Sequence, residues 1–108
     1  MEIFDYTTAG GKNLIMEYIL SQPVKDKTVL LAARKLIRTR GVKAFSMLNT
    51  RQLRGKLYEI KIEQNRIMYI IADADAVYFL HICKKQKGKA EMQELNKAIS
   101  RAKAAGLM

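Results

Sequence analysis

The sequence has one cysteine, one histidine, one proline and no tryptophan. A single cysteine excludes an internal disulfide, and one cysteine with one histidine does not supply the ligands of a structural zinc site. No apolar run approaches the roughly 20 residues that cross a bilayer. The first residues lack the basic and then apolar pattern of a secretory signal. We therefore expect a cytoplasmic protein that has no membrane segment.

The chain does contain a large excess of positive charge. Twenty lysines and arginines face ten acidic residues, which gives a net charge of +10 in 108 residues. Such an excess opposes the compact state by self-repulsion and is typical of proteins that bind a polyanion. Nucleic acid, an anionic membrane surface and an acidic protein all satisfy this requirement. The run Lys84-Lys85-Gln86-Lys87-Gly88-Lys89 is the densest cationic segment and marks the surface that meets the polyanion, although a solvated loop would have the same composition.

Length and apolar content predict one domain over residues 1–108. Weak alternation predicts a short edge strand at the N-terminus, and helical spacing predicts two helices separated at Pro23. Period-two segments joined by short turns then predict an antiparallel meander, followed by a helix after Gly88. The predicted strands cover residues 3–6, 57–63, 66–72 and 76–83, and the first two helices cover residues 12–20 and 24–40. The sequence thus predicts an α+β fold, with an N-terminal helical hairpin and a C-terminal helix packed on a small antiparallel sheet.

Several familiar catalytic motifs are absent from the sequence. Gly10-Gly11 is not followed by the Lys-Ser/Thr of a phosphate-binding loop, and no Gly-x-Ser-x-Gly elbow is present. Asp73 and Asp75 fit the chemistry of a tight turn. No cluster of histidine and carboxylates indicates a metal site, so we predict neither a cofactor nor a metal.

The remaining candidate residues are basic and aromatic. Lys61 and Arg66 flank one predicted hairpin turn, so their side chains can converge. Tyr69 follows on the same strand as Arg66, and His81 lies near the end of the next strand, just before the lysine run. If these strands are neighbours, the groups form a cup for a phosphate backbone, with Tyr69 or Tyr78 available to stack on a base.

Each of these residues also has a structural interpretation. Lys61 can pair with Glu59 or Glu63 on a solvated strand face. Tyr69 suits packing in the core or at its rim. His81 shares a face with apolar neighbours, so a hydrogen-bonded structural histidine fits the pattern as well as an acid or base does.

These motifs, taken in order, resemble a known family. From about Phe45 to Lys103 the chain resembles the RelE/HigB superfamily of toxin–antitoxin toxins, in particular its phage-derived HigB-like branch. The matching segments are Leu53–Lys61, Arg66–Tyr69 and Leu80–Lys87. Lys61 stands where the family usually has arginine, which keeps the charge but loses the bidentate fork.

The resemblance implies a RelE-like fold and a type II toxin that cleaves mRNA at the ribosome without a metal ion. It also implies a helix-turn-helix antitoxin as protein partner. The catalytic residues would be Arg66, Lys84, Lys85, His81 and Tyr69. The RNA-binding residues would be Lys61, Lys87, Lys89 and Arg54. The alternative is a non-catalytic module on the same fold that binds RNA, the ribosome or another protein.

Overall fold

The computed structural model describes all 108 residues. It contains five strands, three α-helices and one 3-10 segment. In chain order these are β1 (Glu2–Asp5), α1 (Leu14–Ser21), α2 (Val24–Arg40), the 3-10 segment (Gly41–Ser46), β2 (Asn49–Arg54), β3 (Leu57–Ile62), β4 (Asn65–Asp73), β5 (Ala76–Lys84) and α3 (Gly88–Ala104). The predicted α+β class is confirmed.

All five strands form one sheet, in the order β1-β5-β4-β3-β2. Strands β2 to β5 are antiparallel neighbours, whereas β1 runs parallel to β5. The sheet is therefore larger than the predicted meander, and it is mixed rather than antiparallel. A parallel pair needs a long connection, which the helices and strands between β1 and β5 supply. The additional strand β2 is a polar edge strand, so it lacks the apolar alternation that would predict it.

Local signals explain where the first two helices begin and end. Asn13 caps α1, because its Oδ1 accepts a hydrogen bond from the Met16 N–H at 2.9 Å. Helix α2 covers the predicted residues and ends at Arg40, just before Gly41, whose φ of 65° lies in the left-handed region.

The two faces of the sheet are covered unequally. Helices α1 and α2 and the 3-10 segment cover one face over a core of 14 buried residues, whereas α3 covers the other over a cluster of seven. A bulge leaves Leu80 without a partner on β4. As a result, Leu80 packs in the α3 cluster while the next residue, His81, also contacts α3.

Helix α3 begins beyond the end of β5, so the sheet is left partly uncovered near the β3–β4 turn. Lys61 and Arg66 lie there, half-buried on the α3 side. No helix is long and apolar enough to cross a membrane.

Candidate nucleic-acid interface

A cleft lies on the uncovered part of the sheet, between the start of α3 and the ends of β3, β4 and β5. Its volume of about 100 Å³ suits a phosphate-sized group, since pockets for drug-sized ligands measure about 300–1,000 Å³. It is lined by Arg51, Glu59, Lys61, Arg66, Met68, Cys83, Lys84, Lys85, Gln86, Glu91 and Glu94. Five cationic residues thus line the cleft, against three acidic residues.

The β3–β4 hairpin brings two of the predicted residues together. Lys61 and Arg66 are direct partners in the antiparallel register, so their side chains emerge on the same face. Arg66 Nη1 donates to the carbonyls of Glu63 at 3.1 Å and Asn65 at 2.9 Å. These bonds hold the guanidinium at the turn and leave Nε and Nη2 available to an anion.

Asn65 connects this hairpin to the lysine run. Its side chain is fully buried, and its Oδ1 accepts from Lys84 Nζ at 3.0 Å and from the Tyr18 hydroxyl at 2.5 Å. Its Nδ2 donates to Asp26 at 3.0 Å and to the Ile62 carbonyl at 3.2 Å. Burial raises the pKa of Tyr18 to about 12, so the hydroxyl remains a donor. Because Tyr18 and Asp26 belong to α1 and α2, Asn65 holds the Lys84 ammonium on the α1–α2 side of the sheet edge, next to the cleft.

Lys85 is positioned through its backbone. Its N–H donates to the Gln64 carbonyl at 2.7 Å, which ties the start of the lysine run to the β3–β4 turn. Lys84 and Lys85 therefore line the same cleft as Lys61 and Arg66.

Arg51 and Glu59 also line the cleft, although the sequence pattern does not predict them as site residues. Arg51 Nε and Nη2 contact Glu59 Oε2 at 3.1 and 3.0 Å, and Nη2 also contacts Glu91 Oε2 at 3.4 Å. Glu59 is buried, whereas Arg51 is about half exposed. Arg51 lies on β2, which the hydrophobic pattern does not predict. A charged residue in the middle of the apolar strand β3 was the available signal, because a buried carboxylate requires a cationic partner.

His81 lies beneath α3, with both ring nitrogens in use. Its Nε2 contacts the Glu94 carboxylate, and its Nδ1 lies 3.1 Å from Arg101 Nη1. Because a guanidinium can only donate, Nδ1 accepts and Nε2 carries the proton that is donated to Glu94. Burial lowers the pKa of His81, which favours this neutral form. The arrangement matches the structural interpretation of His81.

The donor atoms of His81, Cys83 and Glu94 lie within 4.8 Å of one another, a spacing that could suit a metal ion. The surroundings do not fit one. A histidine that binds metal through Nε2 donates its Nδ1–H to an acceptor, and Arg101 is a donor. Burial also raises the pKa of the Cys83 thiol to about 12, so the thiolate ligand is disfavoured. We assign the three side chains to the packing of α3 on the sheet.

The other predicted site residues lie outside the cleft. Tyr69 is buried on the opposite face of the sheet, where its ring stacks on Phe45 with centroids 4.8 Å apart. Burial also raises the pKa of Tyr69 to about 12. Lys87 and Lys89 are exposed at the start of α3. Arg54 is exposed at the far end of β2, about 13 Å along the sheet from the Lys61 end of β3, at 3.3 Å per residue.

A comparison with protein-family models finds a match. The family model described as Phage derived protein Gp49-like (DUF891) matches residues 17–103, a span from α1 to the last turn of α3 that includes every residue lining the cleft. No curated protein matches the sequence. Because the matched span covers most of the chain, the protein belongs to the Gp49-like family of phage-derived proteins.

Proposed function

We propose that this protein is the toxin of a type II toxin–antitoxin system and that it cleaves mRNA at the ribosome without a metal ion. The observation that carries the proposal is the convergence of Lys61, Arg66, Lys84 and Lys85 on one phosphate-sized cleft. The high net charge, the membership of a phage-derived family and the resemblance to RelE/HigB toxins support it.

The proposed reaction is attack of a ribose 2′-OH on the neighbouring phosphate of the RNA. Negative charge develops on the phosphorane oxygens, and cations fixed around the cleft stabilise it. Arg66 offers two free guanidinium nitrogens and Lys85 adds a second cation. The Lys84 ammonium is held by Asn65 and joins them when it leaves Asn65 for the phosphate. Lys61 assists from the adjoining strand. Loss of one such stabilising group typically raises the barrier by about 2.7–4 kcal/mol.

Proton transfer is the more demanding part of this reaction. Both nitrogens of His81 are occupied, so His81 acts as acid or base only when substrate binding displaces Glu94 from Nε2. Tyr69 contributes through the stability of the sheet, because its ring is buried away from the cleft. A carboxylate of the cleft, such as the exposed Glu91, is a further group that could accept a proton.

This shortage of free acid–base groups favours a second candidate, a module that binds RNA or the ribosome without cleaving it. The same four cations would then neutralise backbone phosphates. Such binding weakens with salt, and log affinity falls with log salt concentration at a slope of about 0.7 per neutralised phosphate on single strands.

Cleavage of mRNA in a translating extract separates the two candidates. We expect the wild-type protein to cleave the message, and Arg66→Ala and Lys85→Ala each to slow cleavage about 10²- to 10³-fold. Arg40→Ala is the matched control, because Arg40 is an exposed arginine at the end of α2, outside the cleft. Salt-sensitive binding without cleavage would support the second candidate. A message that is neither bound nor cleaved would contradict both.

The proposed partners are mRNA, the ribosome and a helix-turn-helix antitoxin. A neighbouring reading frame that encodes a small helix-turn-helix protein is the first observation to seek. Co-expression of that protein should restore growth to cells that produce the toxin, and the two proteins should co-purify.

A further inference from the structure

A second hollow lies on the α3 side of the sheet, at the opposite end of α3 from the cleft. It has a volume of about 410 Å³ and is mostly apolar. The residues that matter here are Phe4, Tyr6, Tyr78, Arg101, Ala104 and Ala105. Glu91 in the cleft and Ala104 in this hollow are about 20 Å apart along the helix axis, at 1.5 Å per residue. The hollow is therefore separate from the cleft.

Two aromatic rings form one wall of the hollow. Phe4 and Tyr78 are partners across the parallel pair of β1 and β5, and their ring centroids lie 5.0 Å apart. Phe4 is 42% exposed, although it is a large apolar residue on a strand. Tyr78 is half-buried and the two rings are tilted by 48°, so the exposed Phe4 ring is the surface on which a planar ligand can stack.

Arg101 provides a flat cation beside these rings. Its guanidinium lies over the Tyr6 ring, 4.2 Å from the centroid. Arg101 Nη1 is also held by the Leu80 carbonyl at 2.9 Å and by His81 Nδ1 at 3.1 Å. Because the group is already fixed, a ligand that packs against it loses little side-chain entropy.

Tyr6 and Arg101 also border an adjoining polar hollow on the surface of α3. Its other residues are Gln93, Asn96, Lys97 and Ser100. Amide and hydroxyl groups and a lysine thus lie next to the aromatic hollow. A planar ring on one side and a polar, anionic group on the other are the two parts of a nucleotide.

We propose that this aromatic hollow binds a base of single-stranded RNA while the cleft holds the backbone some distance along the same strand. The proposal rests on the proposed function, because it extends the path of the same RNA. Bases of single-stranded RNA stack on aromatic side chains and on guanidinium planes. The charge of +10 selects an anionic ligand over a neutral apolar peptide.

Fluorescence anisotropy with labelled 2′-O-methyl RNA tests the hollow, because this RNA lacks the attacking hydroxyl and is bound without being cleaved. For a strand of about 12 nucleotides, within the site sizes of known single-strand binders, Phe4→Leu should weaken binding about five- to tenfold. Phe4→Tyr keeps the ring and should bind as the wild type does. Leu20→Ala, at an exposed apolar residue of α1, is the matched control. On a strand of equal length with abasic sites, Phe4→Leu and the wild type should bind equally.

Equal binding of the base-containing strand by Phe4→Leu and the wild type would overturn the proposal. That result is the one expected if the hollow binds a protein and not RNA. The proposed function would stand in that case, provided that Arg66→Ala still weakened binding. Absence of RNA binding by the wild-type protein would contradict both the base-binding hollow and the proposed function. Tyr78→Leu provides a second variant if Phe4→Leu lowers the melting temperature.

Discussion

Each face of the sheet contains an arginine–carboxylate pair, and the two pairs lie in different surroundings. On the α1–α2 face, Arg34 binds Asp5 through two hydrogen bonds of 2.7 and 2.9 Å, and both side chains are buried. On the α3 face, Arg51 contacts the buried Glu59 at 3.0 Å but is itself 47% exposed. The first pair is closed to solvent, whereas the second presents a guanidinium to the cleft.

The difference lets one face of the sheet serve stability while the other serves the proposed RNA binding. The face with the larger core uses its charges to join β1 to α2, where no ligand can reach them. The partly covered face uses carboxylates to hold an arginine that a phosphate can still approach. A bound phosphate can replace an exposed carboxylate at little cost, but it cannot enter the closed pair.

The largest effect is expected from breaking the closed pair. Asp5→Asn leaves the Arg34 charge buried and unpaired, and we expect a loss of about 3–5 kcal/mol in the free energy of unfolding. Urea denaturation measures it. Adding Arg34→Met to Asp5→Asn removes the unpaired charge and should recover part of the loss. Equal stability of Asp5→Asn and the wild type would mean that the pair is not closed in solution.

A smaller effect, a gain in RNA affinity, is expected from a change in the cleft. Glu91 and Arg51 form an exposed pair at 3.4 Å, so Glu91→Gln should change the stability by less than about 1 kcal/mol. Removing the Glu91 carboxylate leaves Arg51 paired with Glu59 alone, so that a phosphate can take the place of Glu91 beside Arg51. RNA affinity should then rise by up to about fivefold, the equivalent of ~1 kcal/mol.

Glu17→Gln is the matched control for this change. Glu17 pairs with Lys12 at 3.3 Å, both residues are exposed on the opposite side of the fold, and the change in net charge is the same. A similar gain in affinity in both variants would show that net charge, rather than the release of Arg51, governs binding.

The periodic parts of the fold could be predicted from the sequence because their residues follow a local rule. Helix α2 has the predicted bounds, and β3, β4 and β5 differ from prediction by at most one residue at each end. Strand β2 could not be predicted in this way. Its polar residues form a strand because β3 offers an open edge, which is a property of the assembled sheet.

The candidate site was predictable in part, for the same physical reason. Lys61 and Arg66 meet because a short hairpin fixes their register, which a local pattern can indicate. Asn65 connects residues of α1, α2 and β5, and Arg51 connects β3 with α3. Such contacts join distant parts of the chain, so no local pattern reveals them. The occupation of both nitrogens of His81 likewise depends on α3.

The smallest effect is expected from the titration of His81. Burial lowers its pKa below the ordinary 6.5, against the opposing influence of Glu94 and with a contribution from Arg101 and Lys97. Burial alone would raise the pKa of Glu94, but the hydrogen bond from His81 lowers this pKa below the ordinary value of a glutamate. The native state therefore resists protonation at His81 while the unfolded chain accepts the proton. Stability from this residue is fully present above pH 6.5 and is lost as the pH falls toward the native pKa.

Urea denaturation at several pH values between pH 7 and pH 5 measures how far the free energy of unfolding falls. His81→Gln should reduce this fall, because glutamine does not titrate. The chain has one histidine, so the difference between the two slopes belongs to that residue. If the Glu94 contact dominated instead, the native pKa would exceed 6.5, and the wild type would gain stability relative to His81→Gln as the pH falls. If the stability of the wild type falls more steeply with decreasing pH than that of His81→Gln, His81 stabilises the packing of α3 on the sheet as a neutral group. The α3 face would then depend on pH near neutrality, while the Asp5–Arg34 pair on the other face has no histidine to titrate.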